Sequence, residues 1–159
     1  MTDNTEFTIT QPLETPSFAA TGDQELALQD LRGQAVVLYF YPRDNTPGCT
    51  REGQDFRDLY SDFLAAGAQI IGVSRDSLKT HTNFSAKHEF PFPLIADTDE
   101  VLCNHFGVIK EKNMYGKKVM GIERSTFLID SKGNIAHEWR KVKVPDHAAE
   151  VLEHVRALS

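Results

Sequence analysis

The stretch that decides the fold is AVVLYFYPRDNTPGCTREGQDF, residues 35–56. Its first seven residues are a continuous apolar run rich in β-formers, which predicts a strand buried on both faces. Pro42 ends that run. Asp44, Asn45, Pro47 and Gly48 are loop formers. Cys49 then falls at the start of a helical pattern, with apolar residues at Phe56, Leu59, Tyr60, Phe63 and Leu64 and a closing glycine at Gly67. The spacing predicts a helix over 50–66. A cysteine therefore stands at the C-terminal end of a central strand and in the first turn of a helix. Open α/β sheets place their reactive groups there.

Working outward, the same alternation continues. AQIIGVS (68–74) predicts a second buried strand, and 76–90 a helix opened by an Asp or Ser cap. FPLIAD (92–97) predicts a short strand and 99–108 a short helix with Gly107 near its end. STFLID (125–130) and IAHEWRK (135–141) flank a Ser-Lys-Gly-Asn turn and predict a hairpin. Residues 145–158 begin with Pro and Asp and have helical apolar spacing. Toward the N-terminus, 17–34 contains short alternating pieces around Gly and Asp, consistent with an early hairpin. Residues 1–15 are polar and expected to be loosely attached. The order β-α-β-α-β-α followed by β-β-α predicts an α/β fold, a three-layer sandwich of thioredoxin type with a mixed central sheet.

The bulk properties limit what such a fold can do. A chain of 159 residues, 40% hydrophobic and 25% charged, has the composition of one soluble globular domain spanning 1–159. Its net charge of −6 argues against a general nucleic-acid or membrane-surface binder. The opening MTDNTEFTIT lacks the basic and apolar regions of a secretory signal, and no apolar run reaches membrane-span length. These features, with only two cysteines, Cys49 and Cys103, point to a reducing, cytoplasmic setting. Cysteines there are more often reactive or buried than bridged.

Cys49 is the reactive candidate. A free thiol with pKa ~8.5 is only about 3% thiolate at neutral pH. Lowering such a pKa to ~6 takes roughly 3.4 kcal/mol. A helix N-terminus supplies ~0.3–1 kcal/mol and at best about 2. A second positive group is needed, and a fast thiol enzyme must also stabilise charge on its leaving group.

YPRDNTPGCTREG resembles the active-site loop of the peroxiredoxins, whose pattern is Pro-x-x-x-Thr/Ser-x-x-Cys. Pro42, Thr46 and Cys49 match it residue by residue. TPGCTRE is similar in particular to the Q-type, or bacterioferritin comigratory protein, subfamily. The likeness runs over roughly 10–158 and includes FPLIAD and GIERSTFLID, the latter carrying Arg124 at the position of the family's active-site arginine. The resemblance implies a thiol-dependent peroxidase that reduces hydrogen peroxide and small organic hydroperoxides and needs no cofactor. It implies that Cys49 attacks the peroxide and becomes a sulfenic acid. Thr46 and the Cys49 N–H would hold the peroxide oxygens, Arg124 would supply the second positive charge, and Pro42 would shield the thiolate from water. Glu52 has an ordinary reading as a dipole-favoured carboxylate, and a second one as a partner for an arginine.

Q-type relatives often carry a resolving cysteine five residues after the first, or in the helix after the next strand. Gln54 and Ser85 occupy those positions here. That implies a one-cysteine cycle with an outside thiol as reductant, thioredoxin or glutaredoxin with glutathione, and the subfamily favours a monomer. The alternatives are a two-cysteine cycle with Cys103 as resolver, or a redox-sensing binding module. Cys103, between Leu102 and Phe106, reads first as a buried inert thiol. A disulfide oxidoreductase would need Cys-x-x-Cys, and Thr46 stands where its first cysteine would be. His81, His88, His105, His137, His147 and His154 show no metal-ligand spacing. KEKNMYGKK and RKVKV read as a solvated loop and strand, or alternatively as a docking face for an acidic reductant or a small anionic thiol.

Overall fold

The computed structural model describes residues 15–158; the polar start, expected to be loosely attached, lies outside them up to residue 14. The chain opens with a small hairpin, β1 (Phe18–Ala20) and β2 (Gln24–Leu26), then a 3-10 turn at Leu28–Leu31. The central strand β3 (Ala35–Phe40) leads into α1 (Pro47–Asp58) and α2 (Tyr60–Ala65), then β4 (Ala68–Ser74), α3 (Leu78–His88), β5 (Leu94–Ala96) and α4 (Val101–His105). A second hairpin follows, β6 (Ile109–Met114) and β7 (Lys117–Ile122), and after it β8 (Ser125–Ile129), β9 (Ile135–Arg140) and α5 (His147–Ala157).

Among the described residues, seven strands form one mixed sheet in the order β2-β1-β5-β4-β3-β8-β9. β3, β4 and β5 are parallel, while β8 pairs antiparallel with β3 and β9 antiparallel with β8. Because side chains alternate along a strand, β3 feeds two separate cores. Val37 and Tyr39 face one with Cys49, Phe56, Phe63, Phe84 and Val151, so α1, α2, α3 and α5 lie on that side. Val36, Leu38 and Phe40 face the other with Leu102, Cys103, Phe106 and Phe127, so α4 lies opposite. This is the expected three-layer thioredoxin-like arrangement.

Two expectations need correction. The single helix over 50–66 is two helices that meet at Leu59, where the backbone leaves helical geometry at φ −102° and ψ 4°. The first begins earlier, at Pro47, because proline's fixed φ suits the first helical position and its missing N–H costs nothing there. The KEKNMYGKK segment is not a loop but the β6–β7 ribbon, a separate two-stranded sheet. Charged and polar residues on both faces hid its period, since most of its residues face solvent and only Gly121 and Ile122 in β7 are buried.

Candidate active site

The loop from Tyr41 to Thr46 carries the chain from the end of β3 into α1. Asn45 adopts φ +65°, a left-handed conformation that asparagine tolerates. Thr46 is the residue before the helix, in extended geometry, yet its side chain does not cap the helix. Instead its hydroxyl donates to the Arg43 carbonyl at 2.8 Å. The first intrahelical bond runs from the Thr50 N–H to the Thr46 carbonyl. The N–H groups of Gly48 and Cys49 precede it and point out of the helix end.

Cys49 is 2% exposed and packs in the same core as Phe56, on the α1 face of the sheet. Arg124 reaches it from the short link between β7 and β8. The register Phe40↔Ser125 brings that link beside the end of β3. The Arg124 Nη2 donates to Cys49 Sγ at 3.4 Å, and Nη1 donates to Glu52 Oε1 at 2.6 Å. Gly48 makes the approach possible, because a Cβ there would stand 3.1 Å from Nη2. Pro42 is half-buried near the start of this loop.

The electrostatics of the trio are uneven. Burial raises the Glu52 carboxyl to about 7, and the Arg124 charge and hydrogen bond oppose that rise without cancelling it. The cause is visible in the geometry: Glu52 is 1% exposed and, among the described residues, its Oε2 has no hydrogen-bond partner. Burial works against the charge on Arg124, but Glu52 and then Cys49 outweigh it and raise its pKa. Arg124 is therefore a fixed cation lying against the sulfur.

All four residues singled out in the sequence, Pro42, Thr46, Cys49 and Arg124, are brought to one end of the sheet. Glu52 joins them as the partner of Arg124 rather than as a simple dipole-favoured carboxylate. Arg43 is exposed, and Arg51 pairs with Asp55 at 3.0 Å on the helix surface. Cys103 is placed apart, 0% exposed on the other face of the sheet. Its backbone N–H donates to Asp97 Oδ2 at 2.7 Å. Burial, followed by the Asp97 charge, pushes its thiol pKa far up.

The sequence reading missed a buried network behind the loop, made by Tyr41, Asp44 and His81. Asp44 had looked like a loop former only, and nothing in the spacing of Asp44 and His81 marks them as neighbours. Asp44, Asp76 and His81 together could offer ligand atoms within 4.8 Å of one another. Hydrogen bonds already occupy these atoms, as described below, so the cluster closes on itself rather than opening toward an ion.

A thioredoxin-like sheet presenting one cysteine at a helix N-terminus under an arginine defines the class, a thiol-based enzyme. The AhpC/TSA family model matches residues 10–138. The chain is 56% identical over 137 residues to the Peroxiredoxin Bcp of Xanthomonas campestris, covering 86% of each. It is 49% identical over 146 residues to the Peroxiredoxin Bcp of Bacillus subtilis, covering 91% of this chain and 93% of that one. A solved structure of the Xanthomonas campestris bacterioferritin comigratory protein superposes with a TM-score of 0.86 at 54% identity, covering 90% of this chain and 91% of the other. The chain belongs to the AhpC/TSA family, among its Q-type (bacterioferritin comigratory protein) peroxiredoxins.

Proposed function

We propose that this peroxiredoxin reduces hydrogen peroxide and small organic hydroperoxides through a Cys49 sulfenic acid. The observation that carries the reading is the Arg124 Nη2 lying 3.4 Å from Cys49 Sγ at the N-terminus of α1. It supplies the second positive charge that the helix end alone leaves wanting. The Xanthomonas campestris relative is described in terms of its alkyl peroxide reduction activity, which supports the same chemistry here.

The residues divide the work as follows. The Cys49 thiolate attacks the terminal oxygen of R–O–OH; the S–O bond forms as the O–O bond breaks. Cys49 becomes S–OH and the alkoxide leaves, taking a proton to become ROH. The Cys49 N–H and Arg124 stabilise the charge that moves onto oxygen. The Thr46 hydroxyl has its own hydrogen committed to Arg43, so its lone pairs face outward as acceptors for the peroxide O–H. Pro42 covers the pocket and keeps water from the sulfur. Glu52 holds Arg124 in place.

Resolution follows a one-cysteine route. An outside thiol attacks the sulfenic acid, releasing water and leaving a mixed disulfide that a second thiol cleaves. Thioredoxin, or glutathione with glutaredoxin, fits this role, and a monomer acting in the cytoplasm suffices for it. Gln54 lies on α1 and Ser85 on α3, and neither bears sulfur. Cys103 is in the other core with the sheet between, so a Cys49–Cys103 bond would require extensive unfolding.

Mass analysis after one equivalent of peroxide tests the reading. The expected product gains one oxygen, is trapped by a sulfenate reagent, and is absent from Cys49→Ser. A loss of two hydrogens with a Cys49–Cys103 crosslink would replace it with the two-cysteine cycle. Oxidation without turnover in the presence of any thiol reductant would favour the sensing module.

A further inference from the structure

The Tyr41–Asp44–His81 network lies directly behind the active-site loop, and the proposed chemistry does not use it. Its hydrogen bonds can be followed atom by atom. The Tyr41 hydroxyl donates to Asp44 Oδ1 at 2.6 Å. Asp44 Oδ2 lies 2.7 Å from His81 Nδ1. His81 Nε2 lies 3.0 Å from the Ile95 carbonyl, which can only accept, so Nε2 carries a hydrogen. One further proton is shared in the Asp44–His81 contact. The Asp44 backbone N–H donates to Asp76 Oδ2 at 2.9 Å, and the Ser74 hydroxyl donates to that same oxygen at 2.6 Å.

Asp44 is thus held by both its main chain and its side chain at three places: Tyr41 at the end of β3, His81 on α3 and Asp76 just past β4. His81 is itself tied to β5 through the Ile95 carbonyl. Asp44 is also midway along the loop, two residues from Pro42 and two from Thr46. Thr46 in turn hangs from the neighbouring Arg43 carbonyl. Side chains at 0% exposure on both Asp44 and His81 leave no water to substitute for a lost bond.

We infer that Asp44, pinned by Tyr41 and His81, is the positioning residue that sets Thr46 and the Cys49 turn in register with an incoming hydroperoxide. It touches neither sulfur nor peroxide; it acts through the loop. This rests on the proposed peroxidase reading and adds the element that aims the loop. Position, rather than charge, is what the network supplies. An asparagine could reproduce it, accepting from Tyr41 through its oxygen and donating its amide hydrogen to His81 Nδ1.

The test measures two second-order rate constants of Cys49 side by side, one with hydrogen peroxide and one with iodoacetamide. Iodoacetamide needs only the thiolate and ignores peroxide-orienting groups. Asp44→Ala is expected to lose about ten- to a hundredfold in the peroxide rate, the cost of a misplaced reacting group, while alkylation does not fall. Asp44→Asn is expected to stay within about threefold of wild type. The inference is overturned if Asp44→Ala keeps its peroxide rate, if both rates fall together, or if Asp44→Asn loses as much as Asp44→Ala. Should Asp44→Ala fail to fold by circular dichroism, Tyr41→Phe and His81→Gln decide. A peroxide-only loss of about threefold or more in both supports the inference, and a smaller loss in either overturns it. The wild-type peroxide rate separately reports whether the peroxidase reading itself holds, since the inference is read only from ratios to it.

Discussion

The two cysteines of this chain are both buried, both on helices and both beside the same sheet, yet they lie in opposite electrostatic settings. Cys49 has an arginine nitrogen 3.4 Å from its sulfur and stands in the first turn of a twelve-residue helix. Cys103 sits on a five-residue helix capped by the Asp97 carboxylate, which accepts from the N–H groups of Leu102 and Cys103. A cation beside a sulfur favours the thiolate; an anion in a dry core favours the thiol. Burial alone therefore says nothing about reactivity. The charge placed next to each sulfur distinguishes them.

The largest effect should come from exchanging the sulfur for oxygen at the first site. Cys49→Ser is expected to reduce peroxide turnover to the buffer rate while leaving the fold intact, because a serine hydroxyl is not ionised at neutral pH. A peroxide-consumption assay checks this, and substantial residual turnover would remove Cys49 from the chemistry. A thiol-labelling time course sharpens the same contrast. Under native conditions iodoacetamide should modify Cys49 and leave Cys103 untouched, and comparable labelling of both would erase the distinction drawn here.

Taking the cation away is expected to cost less than removing the sulfur. Arg124→Met should slow the reaction with peroxide by about a hundredfold or more, comparable with the loss of one preorganised charge donor. Stopped-flow kinetics would show it; an unchanged rate would mean that the helix end suffices without Arg124.

Glu52, which holds Arg124, carries its own pH signature. Its pKa is raised from 4.5 to about 7 in the folded chain, so the folded state binds the proton more tightly than the unfolded one. The group favours folding fully below its unfolded pKa, and that advantage is lost as pH rises through about 7. The total is of the order of 3 kcal/mol. Burial acts in the opposite direction on His147, lowering it from 6.5 to about 4, so that group favours folding as pH rises through the same region. Comparing Glu52→Gln with wild type cancels the His147 contribution. In urea unfolding, the stability of Glu52→Gln relative to wild type should improve by up to about 3 kcal/mol between about pH 5 and about pH 8. A constant difference would show that Glu52 titrates normally.

The smallest effect belongs to the second thiol. Cys103→Ser should leave peroxide turnover within about twofold of wild type while costing about 1–3 kcal/mol of stability, the penalty for a hydroxyl in an apolar core. Loss of turnover in a folded Cys103→Ser would give Cys103 a part in the cycle.

Much of this contrast was already legible in the chain. AVVLYFY reads as a buried strand, and a cysteine at the start of the following helix followed from local backbone chemistry, although the helix also takes in Pro47 and Gly48, which read as loop formers. The match of Pro42, Thr46, Cys49 and Arg124 to a family pattern picked out candidate site residues that the fold brings together. Local rules did not reach the β6–β7 ribbon, because a solvated hairpin with charged and polar residues on both faces carries no burial signal. They also missed the break at Leu59. What the sequence determined by itself was the set of elements and the presence of a thiol at a helix start, since both depend on neighbours a few residues apart. Tertiary structure decided which charge meets which sulfur. Arg124 lies 75 residues from Cys49, and His81 lies 37 from Asp44. Those pairs are set by the order and register of the strands, which bring distant loops to one end of the sheet and send the two cysteines to opposite faces.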